Sequence, residues 1–292
     1  MDKIASNIDR ILELIEESPE EINFNEFNET MTFYMEIMSS VLYLLRVGVS
    51  LVPQTDKKFS GYTKSKAIIV GHMIRISKLY DGFYIHVAKR QLELCSIFVR
   101  LIFETEIRLR YLLNKPQKSF DSFVLSTFRA EKEMLKVFDD FSKERELLPI
   151  EVRMQTSILK EIEDNNLTKD DVLQNKTWDI DGKNIRAMLR DLGREEEYPF
   201  TFGLSSRWVH GSWSELMRYH LIRDNDTYNP SLDYADPDLR TTGPISYRCL
   251  NLLKEYLIWN NSDPNQIIIG VVEKLGELIL SIDRKHENWL NR

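Results

Sequence analysis

The sequence predicts an all-α protein, a multi-helix bundle around one buried central helix at about 83–114, with no significant β-sheet. Three observations predict it. Apolar residues recur at three- and four-residue spacing through most of the chain. Only 11 Gly and 9 Pro interrupt its 292 residues. No series of short alternating runs bounded by turn residues reads as a set of strands.

The elements follow in order. A first amphipathic helix is expected near 2–17 and a long second one near 25–48. A third runs about 61–81, with Gly71 inside it. The central helix ends before Lys115-Pro116, because the residue before proline is pushed out of the helical region. Another helix covers roughly 119–146. Pro149 opens the next, through about 164, as a first-turn proline does. The stretch LTKDDVLQNKTWDIDGKN is polar and turn-rich. A short helix near 182–192 follows, stopped by Gly193 in the position that favours glycine after a helix. A helix near 203–221 carries the most unusual segment. The run RDNDTYNPSLDYADPDLRTTGP is rich in Asn, Asp, Pro and Gly and reads as a long loop. Two closing helices span about 243–260 and 264–290, with Asp263 as N-cap before Pro264. The chain reads as a single helical domain over 1–292, with N-terminal helices over 1–82, a core over 83–222 and C-terminal helices over 243–292. A boundary near 165–180 is the one alternative.

Composition narrows the function. Hydrophobic residues make up 42% and charged residues 29%, which suits a chain with a sizeable core. A net charge of -7 argues against a generic nucleic-acid coat, whose footprint would be basic. A local basic patch stays compatible with it. Cys95 and Cys249 sit in apolar helical runs and are expected to be buried thiols of a reducing compartment. The N-terminus has no basic segment followed by an apolar one, so no signal peptide is expected. No uninterrupted apolar run reaches the ~18 residues of a membrane span, so no membrane partner is expected and the protein is placed in the cytoplasm.

Two places concentrate polar chemistry. On the central helix, Glu93, Ser96, Arg100, Glu104 and Arg108 form one polar stripe on the helix that looks most buried. Buried ions are costly unless paired, so the stripe either lines a cleft or meets polar groups of another helix. The second place is Tyr198–His220, YPFTFGLSSRWVHGSWSELMRYH. Arg207 and His210 share a helical face. His210 suits an acid or base, and Arg207 suits a phosphate or carboxylate. Gly211 and the nearby serines, Ser206 among them, permit close approach. Upstream, Lys183, Arg186, Arg190 and Arg194 form a basic face, either solvated or the rim of an anion site. There is no phosphate loop, no HExxH and no GxSxG, so no cofactor, nucleotide or metal is expected.

The runs RLIFETEIRLRYLL, KTWDIDGKNIRAMLRDLG and YPFTFGLSSRWVHGSW resemble a bacterial family of unknown function, the one numbered 5677. The resemblance covers about 85–215. It rests on an Arg-x-x-x-Glu on a hydrophobic helix (Arg100, Glu104), a Trp before a short helix (Trp178) and a Ser-x-x-x-His after a Tyr (Ser206, His210). The resemblance implies no established activity, but it groups Arg100, Glu104 and His210. It also extends to the HEPN-type helical ribonucleases of bacterial defence systems, in which an Arg and a His on one helix cleave RNA without metal. Those carry four to six residues between the two; here only Trp208 and Val209 intervene.

Three functional expectations follow. The first is a binding or regulatory protein, linked to phage defence or stress, with a cleft lined by Arg100, Glu104, Arg207 and His210. The second is a metal-independent ribonuclease using His210 and Arg207. The third is a helical scaffold that dimerises through an aromatic face. The expected partners are a second protein or a second copy of the chain, and RNA or another anionic ligand at the local basic face.

Overall fold

The computed structural model describes residues 2–19, 22–54 and 58–291. The fold is all-α, and the two-stranded ribbon described below is the one sheet among the described residues. Four helices open the chain: α1 (Asp2–Glu16), α2 (Phe27–Ser50), α3 (Lys64–Ala88) and α4 (Leu92–Leu113). The chain then forms α5 (Gln117–Ser126), α6 (Arg129–Glu144), α7 (Pro149–Asp164), α8 (Lys169–Gln174) and α9 (Ile185–Asp191). After a π-helical turn at Pro199–Gly203 come α10 (Leu204–Val209) and α11 (Trp213–Tyr219). A hairpin of β1 (Leu221–Asp224) and β2 (Thr227–Pro230) precedes α12 (Leu239–Asn260) and α13 (Ile267–Leu290).

The described residues fall into two compact units, one of 1–113 with 196–292, the other of 114–195. In the first unit, α2, α3, α4, α12 and α13 pack on one another. The reason is legible in their spacing. On α2, Tyr34, Ile37, Met38, Val41, Leu44 and Leu45 are all buried, a stripe with helical period. On α12, Thr242, Ser246, Cys249, Leu253, Tyr256 and Asn260 repeat every three or four residues and are buried. By length and composition α2 is apolar enough to cross a membrane over Asn28–Ser50, a feature that a search for uninterrupted apolar runs overlooks. Here half of that window is buried inside the protein, as in a core helix.

Several boundaries differ from expectation. The helix expected at 119–146 is two, α5 and α6, broken at Thr127–Phe128, where the Thr127 hydroxyl donates to the Val124 carbonyl at 2.7 Å. The helix expected from 264 starts at Ile267, yet Asp263 still caps it. Its carboxylate accepts the Ile267 and Ile269 N–H groups at 3.1 and 2.8 Å. The expected long loop contains the hairpin, whose tight turn places Asn225 at a left-handed φ of 53°. Both cysteines are buried. Burial pushes the Cys95 thiol up to about 12 and raises that of Cys249 further, which keeps both protonated and unreactive.

One polar contact ties three helices of the core. The buried Tyr34 hydroxyl on α2 donates to the Asp283 carboxylate on α13 at 2.8 Å. Gly243 on α12 leaves the room for it, since a Cβ there would meet both groups. Burial raises Asp283 to about 6, against the lowering effect of the Tyr34 bond. Its folded value therefore lies above its unfolded one of about 3.9. Between those values the native state holds the proton more tightly, so stability falls as pH rises through that window and levels off above it. Thermal midpoints at pH 4.5 and 7 check this. The difference between wild type and Asp283→Asn is expected to change across the window, and a constant difference would refute it.

Candidate functional site

The polar stripe of α4 divides into parts with different tasks. At its start, Glu93 is buried and its carboxylate accepts the Ala235 N–H at 3.1 Å. The Leu92 N–H reaches the Ala235 carbonyl at 2.9 Å. Arg90 grips Asp236 through two nitrogens, at 2.7 and 3.2 Å. These bonds clamp the segment that follows the hairpin onto the turn between α3 and α4. Ser96 only returns a bond to the Leu92 carbonyl.

The second part is an ionic ladder. Arg100 lies 3.7 Å from Glu104, and Arg108 meets the other oxygen of Glu104 at 2.7 Å. Arg100 also donates to the Phe202 carbonyl at 2.8 Å, with its guanidinium 3.0 Å from the Phe202 ring centroid. Tyr198 stacks on Phe202 at 5.3 Å. The stripe and the Tyr198–His220 segment therefore do meet. The contact is the Phe202 ring and carbonyl in the π-helical turn.

Among the described residues, neither Arg207 nor His210 bonds to Arg100 or Glu104. The single helix expected at 203–221 is split into α10 and α11. Gly211 takes a φ of 60°, and the Ser212 hydroxyl accepts the Glu215 N–H as N-cap of α11. The sequence His-Gly-Ser thus ends one helix and starts the next. Arg207 and His210 are both exposed, and among the described residues neither side chain has a hydrogen bond or ion pair. Ser206 contributes its carbonyl to the His210 N–H at 3.2 Å. Arg186 and Arg190, in the second unit, both pair with Glu195, at 2.9 and 2.7 Å. That carboxylate is held down to about 2, first by Arg190 and then by Arg186. The basic face is thus largely neutralised by its own unit.

Facing the ladder, α3 presents His72 and Arg75, one helical turn apart. Arg75 reaches across to the Thr105 hydroxyl of α4 at 3.3 Å. The His72 Nδ1 lies 2.7 Å from the Ile68 carbonyl, which can only accept, so Nδ1 carries the proton and Nε2 the lone pair. Burial, followed by the charges of Arg108 and Arg75, lowers His72 below its ordinary value, so it is neutral near pH 7. The α3–α4 face therefore holds a neutral imidazole within electrostatic reach of two guanidinium groups.

Apart from Ala235 and Asp236, these residues fall within residues 66–228, the segment matched by the Family of unknown function (DUF5677), which is more than half of the chain. The chain belongs to that family. No curated protein and no solved structure matches it. In this DUF5677 member, Trp178 is half-buried beneath Lys132, whose ammonium lies 5.2 Å from the ring centroid.

One feature of this DUF5677 chain escapes the sequence reading. Glu106, fully buried, is bound by Arg248 of α12 through two contacts at 2.9 and 3.0 Å and lies 3.3 Å from Arg110. Arg248 continues to Glu197 at 2.8 Å, and Arg110 to Glu255 at 3.0 Å. A signal for it exists. Glu104 and Glu106 are two apart, so they project from opposite sides of the helix and cannot both face solvent.

Proposed function

We propose that the protein is a binding protein and that its ligand carries an oxyanion of phosphate type, held on the α3–α4 face by Arg75 and Arg108 beside His72. One observation carries this reading. Arg75, Arg100 and Arg108 sit along one face where, among the described residues, Glu104 is the carboxylate they pair with, so local positive charge exceeds negative in a chain of net charge -7. Planar guanidinium groups match oxyanions in two-pronged fashion. Phe202 and Glu104 fix Arg100 and Arg108, so little side-chain freedom is lost on binding.

Titration calorimetry with inorganic pyrophosphate tests the site. Wild type is expected to bind, and Arg75→Ala and Arg108→Ala each to weaken binding about 10-fold or more, the value of a charge-assisted bond. Absence of binding by wild type, or wild-type affinity retained in either variant, overturns the reading.

A second reading rests on a different observation, the exposure of Arg207 and His210 with both side chains uncommitted. That leaves a base and a cation open to an RNA backbone. Cleavage of a labelled oligoribonucleotide by wild type and its loss in His210→Ala would support a metal-independent ribonuclease. No cleavage, or equal cleavage by both proteins, counts against it.

A further inference from the structure

The segment from Val209 to Tyr234 is under a tenth of the chain, yet it holds eight of the 21 exposed large apolar side chains among the described residues. On α11, Trp213, Leu216 and Met217 form one face at spacings of three and four, and are 57%, 39% and 38% exposed. The opposite face is anchored, since Glu215 is buried and accepts from His220 at 2.8 Å. The hairpin extends this surface. Trp213 meets Tyr228 edge-on at 5.4 Å, and Tyr228 stands opposite Arg223 in the β1–β2 register, so both lie on one side of the ribbon. A helix face of this kind left uncovered marks an interaction site.

The composition and the charges indicate what covers it. No lysine occurs between Lys183 and Lys254, and the arginines of this segment and just before it are Arg207, Arg218 and Arg223. Trp, Tyr, Met and Arg are the residues enriched in protein interfaces, and lysine is depleted there. The same segment carries Asp224, Asp226 and Asp233. Among the described residues none of these three arginines and three aspartates is ion-paired. Three cations and three anions flanking an apolar centre repel a polyanion as much as they attract it. They do match a copy of themselves. In a two-fold interface the same patch faces itself, so each sign must find its opposite on the same surface.

We infer that α11 and the β1–β2 hairpin form a two-fold interface with a second copy of this chain. Trp213, Leu216 and Met217 supply its centre, and the arginines and aspartates supply crossed ion pairs at its rim. The clamp of Glu93 and Arg90 on Ala235 and Asp236 holds the far end of the segment to the body of the unit, so the surface is preformed.

Sedimentation equilibrium of the full chain tests this. Wild type is expected to run as a species of twice 34.5 kDa at micromolar concentration. Trp213→Asp is expected to weaken the dimer about 30-fold or more, with an unchanged circular dichroism spectrum, because the residue is exposed. Two charge-inverted variants make the test specific, one with Arg207, Arg218 and Arg223 changed to Asp, the other with Asp224, Asp226 and Asp233 changed to Arg. Each alone is expected to be monomeric, and an equimolar mixture to dimerise. A wild type that stays monomeric to about 100 µM overturns the inference. So does a Trp213→Asp dimer as tight as wild type, or a mixture of folded variants that stays monomeric.

Discussion

Glu106→Ala is expected to cost about 3–5 kcal/mol, the range for removing one partner of a buried ion pair. The substitution leaves Arg248 and Arg110 in the core without the carboxylate that each contacts. Arg248 keeps Glu197, and its guanidinium stays 4.7 Å from the Phe103 ring centroid, so the loss is bounded rather than total. In a unit of this size the thermal midpoint should fall by about 10 °C. Glu104→Ala is the control on the same helix. Glu104 is 27% exposed, and Arg100 keeps the Phe202 carbonyl and ring when it is removed. Its cost should stay within about 1 kcal/mol, the range for exposed pairs. Equal losses at the two positions would refute the distinction between a structural pair inside the core and a ladder at its edge.

Gly243→Ala is expected to destabilise by about 2 kcal/mol, although alanine is the better helix former by about 1 kcal/mol. The added Cβ would sit 2.6 Å from the Tyr34 hydroxyl and closer still to the Asp283 carboxylate. Relief requires one of them to move, and Tyr34 is fully enclosed. The hydrogen bond between α2 and α13 is therefore what gives way. Urea unfolding of Gly243→Ala, Asp283→Ala and the double variant separates the terms. The double variant should cost less than the sum of the singles, because shortening Asp283 opens the space the methyl needs. Strict additivity would sink this account.

The main helices were legible because their burial is periodic. The stripe on α2 and the seam on α12 follow from spacing alone. The breaks were harder. His210-Gly211-Ser212 carries a stop and a start in three residues, and the apolar spacing on either side continues as if the helix did. The split between α5 and α6 falls where the Ser126 and Thr127 hydroxyls each bond a carbonyl three residues back. The ribbon at 221–230 leaves no signature in the sequence, because its strands are short and mostly exposed, with no hydrophobic alternation to announce them.

The candidate site was half legible. Arg100, Glu104 and Arg108 could be placed on one face, since that face is written in a single helix. His72 and Arg75 could not, because nothing in α3 says which face of α4 it meets. Glu106 was hidden for the same reason. Its partner lies 142 positions away, and only a fold brings Arg248 to it. Arg207 and His210 stand out by residue type, while the hydrogen bond from Arg100 of α4 to their segment goes to the backbone carbonyl of Phe202, which no side-chain pattern encodes.

The Glu106–Arg248 bond has one more consequence. The segment shared across DUF5677 ends at 228, and Arg248 stands beyond it. The clamp that Glu93 sets on Ala235 crosses the same line. A central helix whose buried acid is answered from outside the shared segment does not complete its own electrostatics. What is inherited as a family here is smaller than what must fold together. The remainder of the chain, α12 above all, supplies the missing charge and therefore belongs to the folding unit of that segment.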